Sequence, residues 1–227
     1  MQSREMAEYI SKIKPPVDVV MSSPFYRCIQ TLTPTVTTLN SQRSEAGKEP
    51  VRIHIENGLG EFYGLARFDH PSPATNDILA THFDNLHPSY EPTIRPSVNG
   101  ESIPTIHDRI AYCLHRVISA LDADPSGPKT LLICTHAASM ICIGRVLTGR
   151  MPEDHGEEDF RCFTCSLSKF ERRGSIKEAQ DIAQWNAASP EDIPVVNWRD
   201  GNGVMGGWNC TINGDCSFLS KGEERGW

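Results

Sequence analysis

Apolar positions along the chain switch repeatedly between the two periods that mark helices and strands. Ala7, Ile10 and Ile13, with Met6 beside them, share one helical face that Pro15-Pro16 ends. Val17–Met21 is an apolar run of strand length. Ser23 then supplies an N-cap and Pro24 the first helical position. A helix is therefore expected from Pro24 to about Thr33, with Pro34 as the place for a kink and continuation towards Leu39. "VRIHIE", Val51 to Glu56, alternates as a strand does, and "NGLGEFYGLARF" is a glycine-rich turn region. Ile106, Ile110, Leu114, Val117, Ile118 and Leu121 form a helical stripe over Thr105–Ala123. "TLLICTH" reads as a buried strand, "ASMICIGRVLTG" as an apolar helix closed by Gly149, and "FTCSLSKFERR" as a further strand.

Two stretches break this rhythm. Residues 71–104 carry six prolines, with "DILATHFDNL" as a short helix inside, and read as an inserted excursion over one face. The last forty or so residues, rich in Gly, Asn and Trp, read as turns and short strands. Strand–helix alternation through the body predicts an α/β/α sandwich with a largely parallel sheet. The expected division is a main domain over 1–194 and a Gly/Trp-rich extension over 195–227 packed on or near it.

Composition narrows the function classes. With 38% hydrophobic and 22% charged residues in 227, the chain can bury one sizeable core and is not of disordered type. A net charge of −7 argues against direct, electrostatically driven binding to nucleic acid or an anionic membrane. No apolar run approaches a membrane span, and the polar start "MQSREMAEYISKIK" does not read as a signal peptide. Eight cysteines without a secretion signal point to a reducing compartment, nucleus or cytoplasm. Cys28, Cys113, Cys134 and Cys142 sit in apolar patterns and read as small core residues.

Chemistry concentrates at two strand-to-helix junctions. In "VVMSSPFYRCIQT" a strand passes into a helix whose first turns carry Arg27. In "TLLICTHAASM" a strand delivers His136 just as a helix begins. Helix starts offer free N–H groups and a positive dipole end, and ligands of open α/β sheets bind at the carboxyl ends of strands. Arg27 and His136 together predict one anion pocket. Taken singly, each has a plainer reading: an arginine paired with an acid, a histidine at a helix start. Glu61, in the glycine-framed "ENGLGEFYG", could serve as a general acid if its surroundings raise its pKa; otherwise it is a solvated loop glutamate.

In combination, "SSPFYRCIQT", "GLGEFYG" and "LLICTHAASM" resemble the histidine phosphatase superfamily, also called phosphoglycerate mutase-like, over roughly residues 2–173. The resemblance implies that Arg27 binds phosphoryl oxygens, that His136 stabilises the transferring phosphoryl group, and that Glu61 donates a proton to the leaving group. It implies phosphate or a phosphomonoester as ligand and calls for no cofactor and no metal. The ending "CSFLSKGEERGW", with "FRCFTCSLSKFERR", is similar to the branch found as a subunit of the fungal RNA polymerase III transcription factor TFIIIC. That branch implies protein partners in the nucleus, with DNA contacted by those partners.

The chain departs from the family pattern twice. Ala137 follows His136 where the family writes glycine. No Arg-His-Gly occurs, so the first strand and the nucleophilic histidine of the family are missing from this chain. Phosphohistidine chemistry needs that nucleophile within bonding reach of phosphorus. The expectation is an incomplete phosphate pocket in a protein-interaction module; the alternative is a phosphomonoesterase whose nucleophile-bearing strand is encoded upstream.

Three motifs carry plainer readings. "GNGVMG" matches a dinucleotide fingerprint literally, but "GWNCTINGDC" after it is a poor helix, so a turn-rich hairpin is expected. Cys162-x-x-Cys165 is half a zinc site at most and reads as a reduced pair at a strand start. Trp185, Trp198, Trp208 and Trp227 read as core or flap packing rather than a binding surface.

Overall fold

The structure is a computed structural model that describes residues 1–127, 129–175 and 180–226. Trp227 lies outside the described residues. The body is a parallel sheet of three strands, β1 (Val19–Ser22), β2 (Ile53–Ile55) and β3 (Leu131–Cys134), in the order β2-β1-β3. Val20 stands opposite Ile53 on one side and Leu132 on the other. The period of two sorts these strands between two cores. Val20, Ile53, Ile55 and Leu132 face α1 (Gln2–Ile10) and α2 (Tyr26–Glu45). Met21, with Val19, Leu131 and Ile133 packed beside it, faces α4 (Ile103–Asp122) and α5 (Ala137–Thr148). Helices thus cover both faces, as the alternation of elements requires.

The expected elements are present with shifted ends. α2 runs unbroken through Pro34 and extends past Leu39 to Glu45. The proline loses one intrahelical donor, but Cys28, Ile29, Leu32, Val36 and Leu39 bury a continuous face that holds the helix across it. α4 begins two residues early because Ser102 caps it, accepting from Thr105 N–H at 3.2 Å. α5 ends at Gly149, whose φ of +77° suits a residue without Cβ; a Cβ there would collide with the Gly201–Gly203 backbone.

The proline-rich segment is more than an excursion. Within it, before α4 begins at Ile103, Asn76–Ala80 alone is helical (α3). Leu79, Phe83 and Leu86 are buried in the α1/α2 core, and Ile94 in the α4/α5 core. Tyr90 Oη donates to Glu56 at 2.6 Å, and Thr93 N–H donates to the same carboxylate at 2.9 Å. The buried carboxylate right after β2 is what fastens the segment down.

β4 (Leu167–Arg172) and β5 (Trp208–Asp215) form a separate antiparallel pair. The "GNGVMG" stretch is a single 3₁₀ turn leading into β5, not a strand-to-helix phosphate loop. Trp198 is fully buried against His107, at a ring separation of 5.9 Å. The end of the chain returns to the first helix: Phe218 stacks on Tyr9 at 4.4 Å and Ser220 N–H donates to Glu5.

Among the described residues β3 has a ladder partner on one edge alone, β1. An open edge is a template for another strand. The chain on its own is expected to aggregate or to melt early, and to gain stability from a strand added there. A cooperative, reversible melt of the monomer at about 45–65 °C, typical of mesophilic domains, would count against this.

Candidate functional site

The carboxyl ends of β1 and β3 bring the two junctions together. β1 ends at Ser22, paired with Cys134 of β3, and Ser23 N–H donates to the Cys134 carbonyl at 2.9 Å. The chain then turns at Pro24, with extended Phe25 as the N-cap of α2, so Arg27 lies in the first helical turn. After β3, His136 is the extended N-cap of α5. Both helices therefore start beside one point, where the positive ends of their dipoles come together.

Ser23 is not the N-cap that its position suggested. The cap residue is Phe25, without a side-chain cap bond. The fully buried Ser23 hydroxyl instead meets His136 Nε2 at 2.6 Å. On the other ring nitrogen, Nδ1 lies 3.1 Å from Glu61 Oε2 and 2.8 Å from Arg27 Nη2. Arg27 Nη2 donates to the same Glu61 oxygen at 2.8 Å. All three residues singled out in the sequence thus meet. Phe25 closes one side, edge-on to His136 at 5.2 Å and under the Arg27 guanidinium at 5.1 Å. The imidazole is almost wholly enclosed, whereas 56% of the Arg27 side chain is exposed. The arginine is the solvent-facing side of the site.

The electrostatics follow from this triangle. Burial pushes His136 down, but the hydrogen bonds and charges of Cys28 and Glu61 outweigh it and raise its pKa. Burial pushes Glu61 up, yet the hydrogen bond and charge of His136, the Phe62 N–H and Arg27 together hold it below its usual range. In the unliganded site Glu61 is therefore an ionised carboxylate, not the raised-pKa acid that proton donation would need. It acts as an internal anion for two cations whose nitrogens stand 2.8 Å apart.

The Glu61 loop is held by a buried clamp. Arg109 of α4 is fully buried and makes a two-nitrogen pair with buried Glu101, Nε donating at 2.9 Å. Its Nη1 donates to the Gly58 carbonyl at 2.6 Å and, more loosely, to Gly60. Ser139 Oγ donates to the Gly60 carbonyl and Thr135 Oγ1 to that of Leu59, both at 2.6 Å. Gly58 fits because a Cβ would meet Cys113 and Ile94 at 2.8 Å. Three side chains, Arg109 of α4, Thr135 between β3 and α5, and Ser139 of α5, converge to fix the backbone immediately before Glu61.

A profile of the histidine phosphatase superfamily, branch 1, matches residues 1–187. The chain belongs to the histidine phosphatase superfamily. Over its whole length it is 27% identical to the transcription factor tau 55 kDa subunit of Saccharomyces cerevisiae, of which it covers 49%. Over 81% of its length it is 27% identical to an ecdysteroid-phosphate phosphatase of Drosophila melanogaster, of which it covers 23%. The chain thus spans about half, and about a quarter, of these two relatives. The crystal structure of the ecdysone phosphate phosphatase from Bombix mori, in complex with tungstate, superposes with a TM-score of 0.52. It is 18% identical, over 69% of this chain and 58% of that one. This likeness concerns the histidine phosphatase fold alone, whose mixed α/β body with a parallel sheet is the one described above.

Sequence reasoning missed four parts of this site. Ser23 was hidden by its good cap chemistry. Cys28 looked like a small core residue, and it is buried, but its sulfur lies 3.7 Å from His136 Nε2. Arg109 and Glu101 carried no local signal, since they pair with each other inside the core and the arginine's remaining partners are the Gly58 and Gly60 carbonyls on the far side of the proline-rich segment. Among the described residues no group of three or more His, Cys, Asp or Glu stands where it could hold a metal. Two further histidines serve elsewhere: half-buried His54 contacts the Val20 carbonyl and stacks on His87, and buried His107 contacts the Ile103 carbonyl.

Proposed function

We propose that this domain is a phosphate-recognising, non-hydrolysing module of a nuclear transcription-factor assembly, as the resemblance to the tau 55 kDa subunit suggests. Arg27 and His136 hold the phosphoryl oxygens and Glu61 is the group they release. The contacts of such a module are protein partners rather than DNA, in keeping with the net charge of −7. The division into a phosphatase-like domain over 1–194 and an extension over 195–227 belongs to the same proposal.

The observation that carries the non-hydrolysing part is that His136, held at Nε2 by Ser23 and at Nδ1 by Glu61, is a positioned cation, while among the described residues no other histidine bonds to Arg27, Glu61 or His136 where a nucleophile would be needed. The test is turnover of an aryl phosphate. The chain as it stands should release no phosphate above buffer, since an acid alone contributes only about 10²–10⁴-fold. Measurable turnover that disappears in Arg27→Ala would overturn the proposal.

A second reading has one observation in its favour. β3 leads straight to His136, and its open edge could receive a parallel strand ending beside the anion pocket. If a segment encoded upstream supplies Arg-His-Gly there, the domain is a phosphomonoesterase working through a phosphohistidine. An extended chain carrying that strand should then turn over aryl phosphates. In it, Glu61→Gln should slow substrates with poor leaving groups most, because only those need the proton.

A further inference from the structure

The loop that delivers Glu61 continues into a flap. Residues 64–70 run back along residues 97–101. Ala66 N–H donates to the Asn99 carbonyl at 3.2 Å, His70 N–H to that of Val98 at 2.8 Å, and Glu101 N–H to that of Gly64 at 3.1 Å. Leu65 stands opposite Gly100. The crossing requires that glycine: its φ is +81°, and a Cβ would overlap the Gly64 carbonyl oxygen. Glu101, at the base of the flap, is the buried partner of Arg109. The flap is thus tied to the clamp that holds Gly58 and Gly60.

This well-anchored flap turns its apolar side chains outward. Leu65 and Phe68 are 75% and 71% exposed, and Val98 is 56% exposed. A line of ring contacts joins them to the anion pocket. Phe25, edge-on to His136, has the Tyr63 ring 6.2 Å away; Tyr63 stacks on His70 at 4.9 Å, and Phe68 meets His70 at 5.9 Å. Contiguous exposed apolar surface marks an interaction site. The charge around it is basic although the whole chain carries −7. Arg27 at the pocket, Arg67 beside Phe68 and Arg95 before Val98 are all exposed, while Asp69 is taken up by Asn99 Nδ2 at 3.0 Å.

Building on the phosphate-recognising role proposed above, we propose that the flap docks an extended segment of a partner protein. A phosphorylated side chain of that segment enters between Arg27 and His136, and an apolar side chain of it lies on Leu65, Phe68 and Val98. The spacing suits a peptide. Leu65 is four residues beyond Glu61, so it lies at most about 14 Å away. An extended chain rises about 3.3 Å per residue, which places the apolar residue within about four residues of the phosphorylated one. The three arginines favour acidic residues between the two anchors. The net charge of −7 opposes a nucleic acid or an anionic membrane as the occupant.

The test is calorimetry on the chain with three kinds of probe. These are inorganic phosphate, phenyl phosphate, and nine-residue peptides of alanine and aspartate with a central phosphoserine and one phenylalanine two, three or four residues before or after it. At least one peptide should bind about tenfold or more tighter than inorganic phosphate. Leu65→Ser and Phe68→Ser alter exposed side chains, so the fold and the affinity for inorganic phosphate should be unchanged. Each should weaken that peptide about five- to tenfold. Replacing the peptide's phenylalanine by alanine should cost as much in the wild type and little more in Phe68→Ser, as expected of two groups in contact. If inorganic phosphate binds but no peptide distinguishes the wild type from both variants, the flap assignment is overturned and the pocket reading stands. If phenyl phosphate loses as much as the peptide in Phe68→Ser, the flap serves a small apolar ester and the docking role is overturned. A peptide that binds equally well with serine in place of phosphoserine, or a wild type that does not bind inorganic phosphate, would instead overturn the phosphate reading on which the docking rests.

Discussion

Replacing Arg109 by methionine is expected to destabilise the fold by about 3–5 kcal/mol, the cost of leaving a buried charge without its partner. Glu101 is 4% exposed and has no solvent to turn to. The same substitution frees the carbonyls of Gly58 and Gly60 and so loosens the backbone that delivers Glu61. Two measurements separate these effects. Urea unfolding reports the stability, and anion titration under native conditions reports the site. The double variant Arg109→Met, Glu101→Met should regain much of the stability, since a buried pair replaced as a whole by apolar groups is often neutral. It should not regain anion affinity, because the loop clamp is still gone. A single variant that loses less than about 1 kcal/mol, the scale of an exposed ion pair, would show that the clamp is not the fixed point described here.

Glu61→Gln is expected to tighten binding of phosphate, sulfate or vanadate, while Arg27→Ala abolishes it. The carboxylate of Glu61 competes with an incoming anion for the same two nitrogens, at 2.8 Å and 3.1 Å. At about 4 Å two unit charges interact by about 1 kcal/mol in water and about 4 kcal/mol at an effective dielectric of 20. In this half-open site the lower part of that range applies, which gives a gain of about tenfold in affinity. Arg27→Ala removes the charged donor that faces solvent and leaves His136 alone with the anion.

The sign of the pH dependence follows from the same groups. Glu61 is held below its usual range in the free site. An anion that takes its partners, and adds its own negative charge, must raise it. Binding should therefore be accompanied by proton uptake in the wild type, strongest in mildly acidic buffer, and by less uptake in Glu61→Gln. The variant also removes one of the groups that hold the proton on His136. Its advantage over the wild type should accordingly shrink as the pH rises through the histidine's titration. Calorimetry in buffers of different ionisation enthalpy measures the uptake directly. Equal anion affinity in the wild type and Arg27→Ala would mean that the anion binds elsewhere.

Much of this site was legible in the sequence because it rests on local chemistry. A strand that ends and a helix that begins within four or five residues leave little choice about where Arg27 and His136 point. The alternation of Val20 and Met21, and of Leu131, Leu132 and Ile133, likewise fixes which side chains serve which core. Glu61 was legible as a loop carboxylate between glycines, though not as the counter-ion of both cations. Its low pKa depends on neighbours 34 and 75 residues away in the chain.

What the sequence by itself determined is the alternation of elements, the two cores they share, and the two strand-to-helix junctions, since each depends on periodicity and capping within a few turns of chain. Only the tertiary structure decided the use of the polar groups between them. Ser23 could cap a helix or bond a histidine, and the approach of β3 gave it His136 at 2.6 Å. Cys28 could be filler or a thiol facing an imidazole, and the same approach settled which. Arg109 sits on a helix face whose neighbours are apolar, and its meaning came from Glu101 and the Gly58–Gly60 carbonyls. Hydrophobic period is a one-dimensional signal, repeated along each element. A buried polar group is satisfied by whichever partner the fold brings within about 3 Å, and that partner has no fixed spacing in sequence.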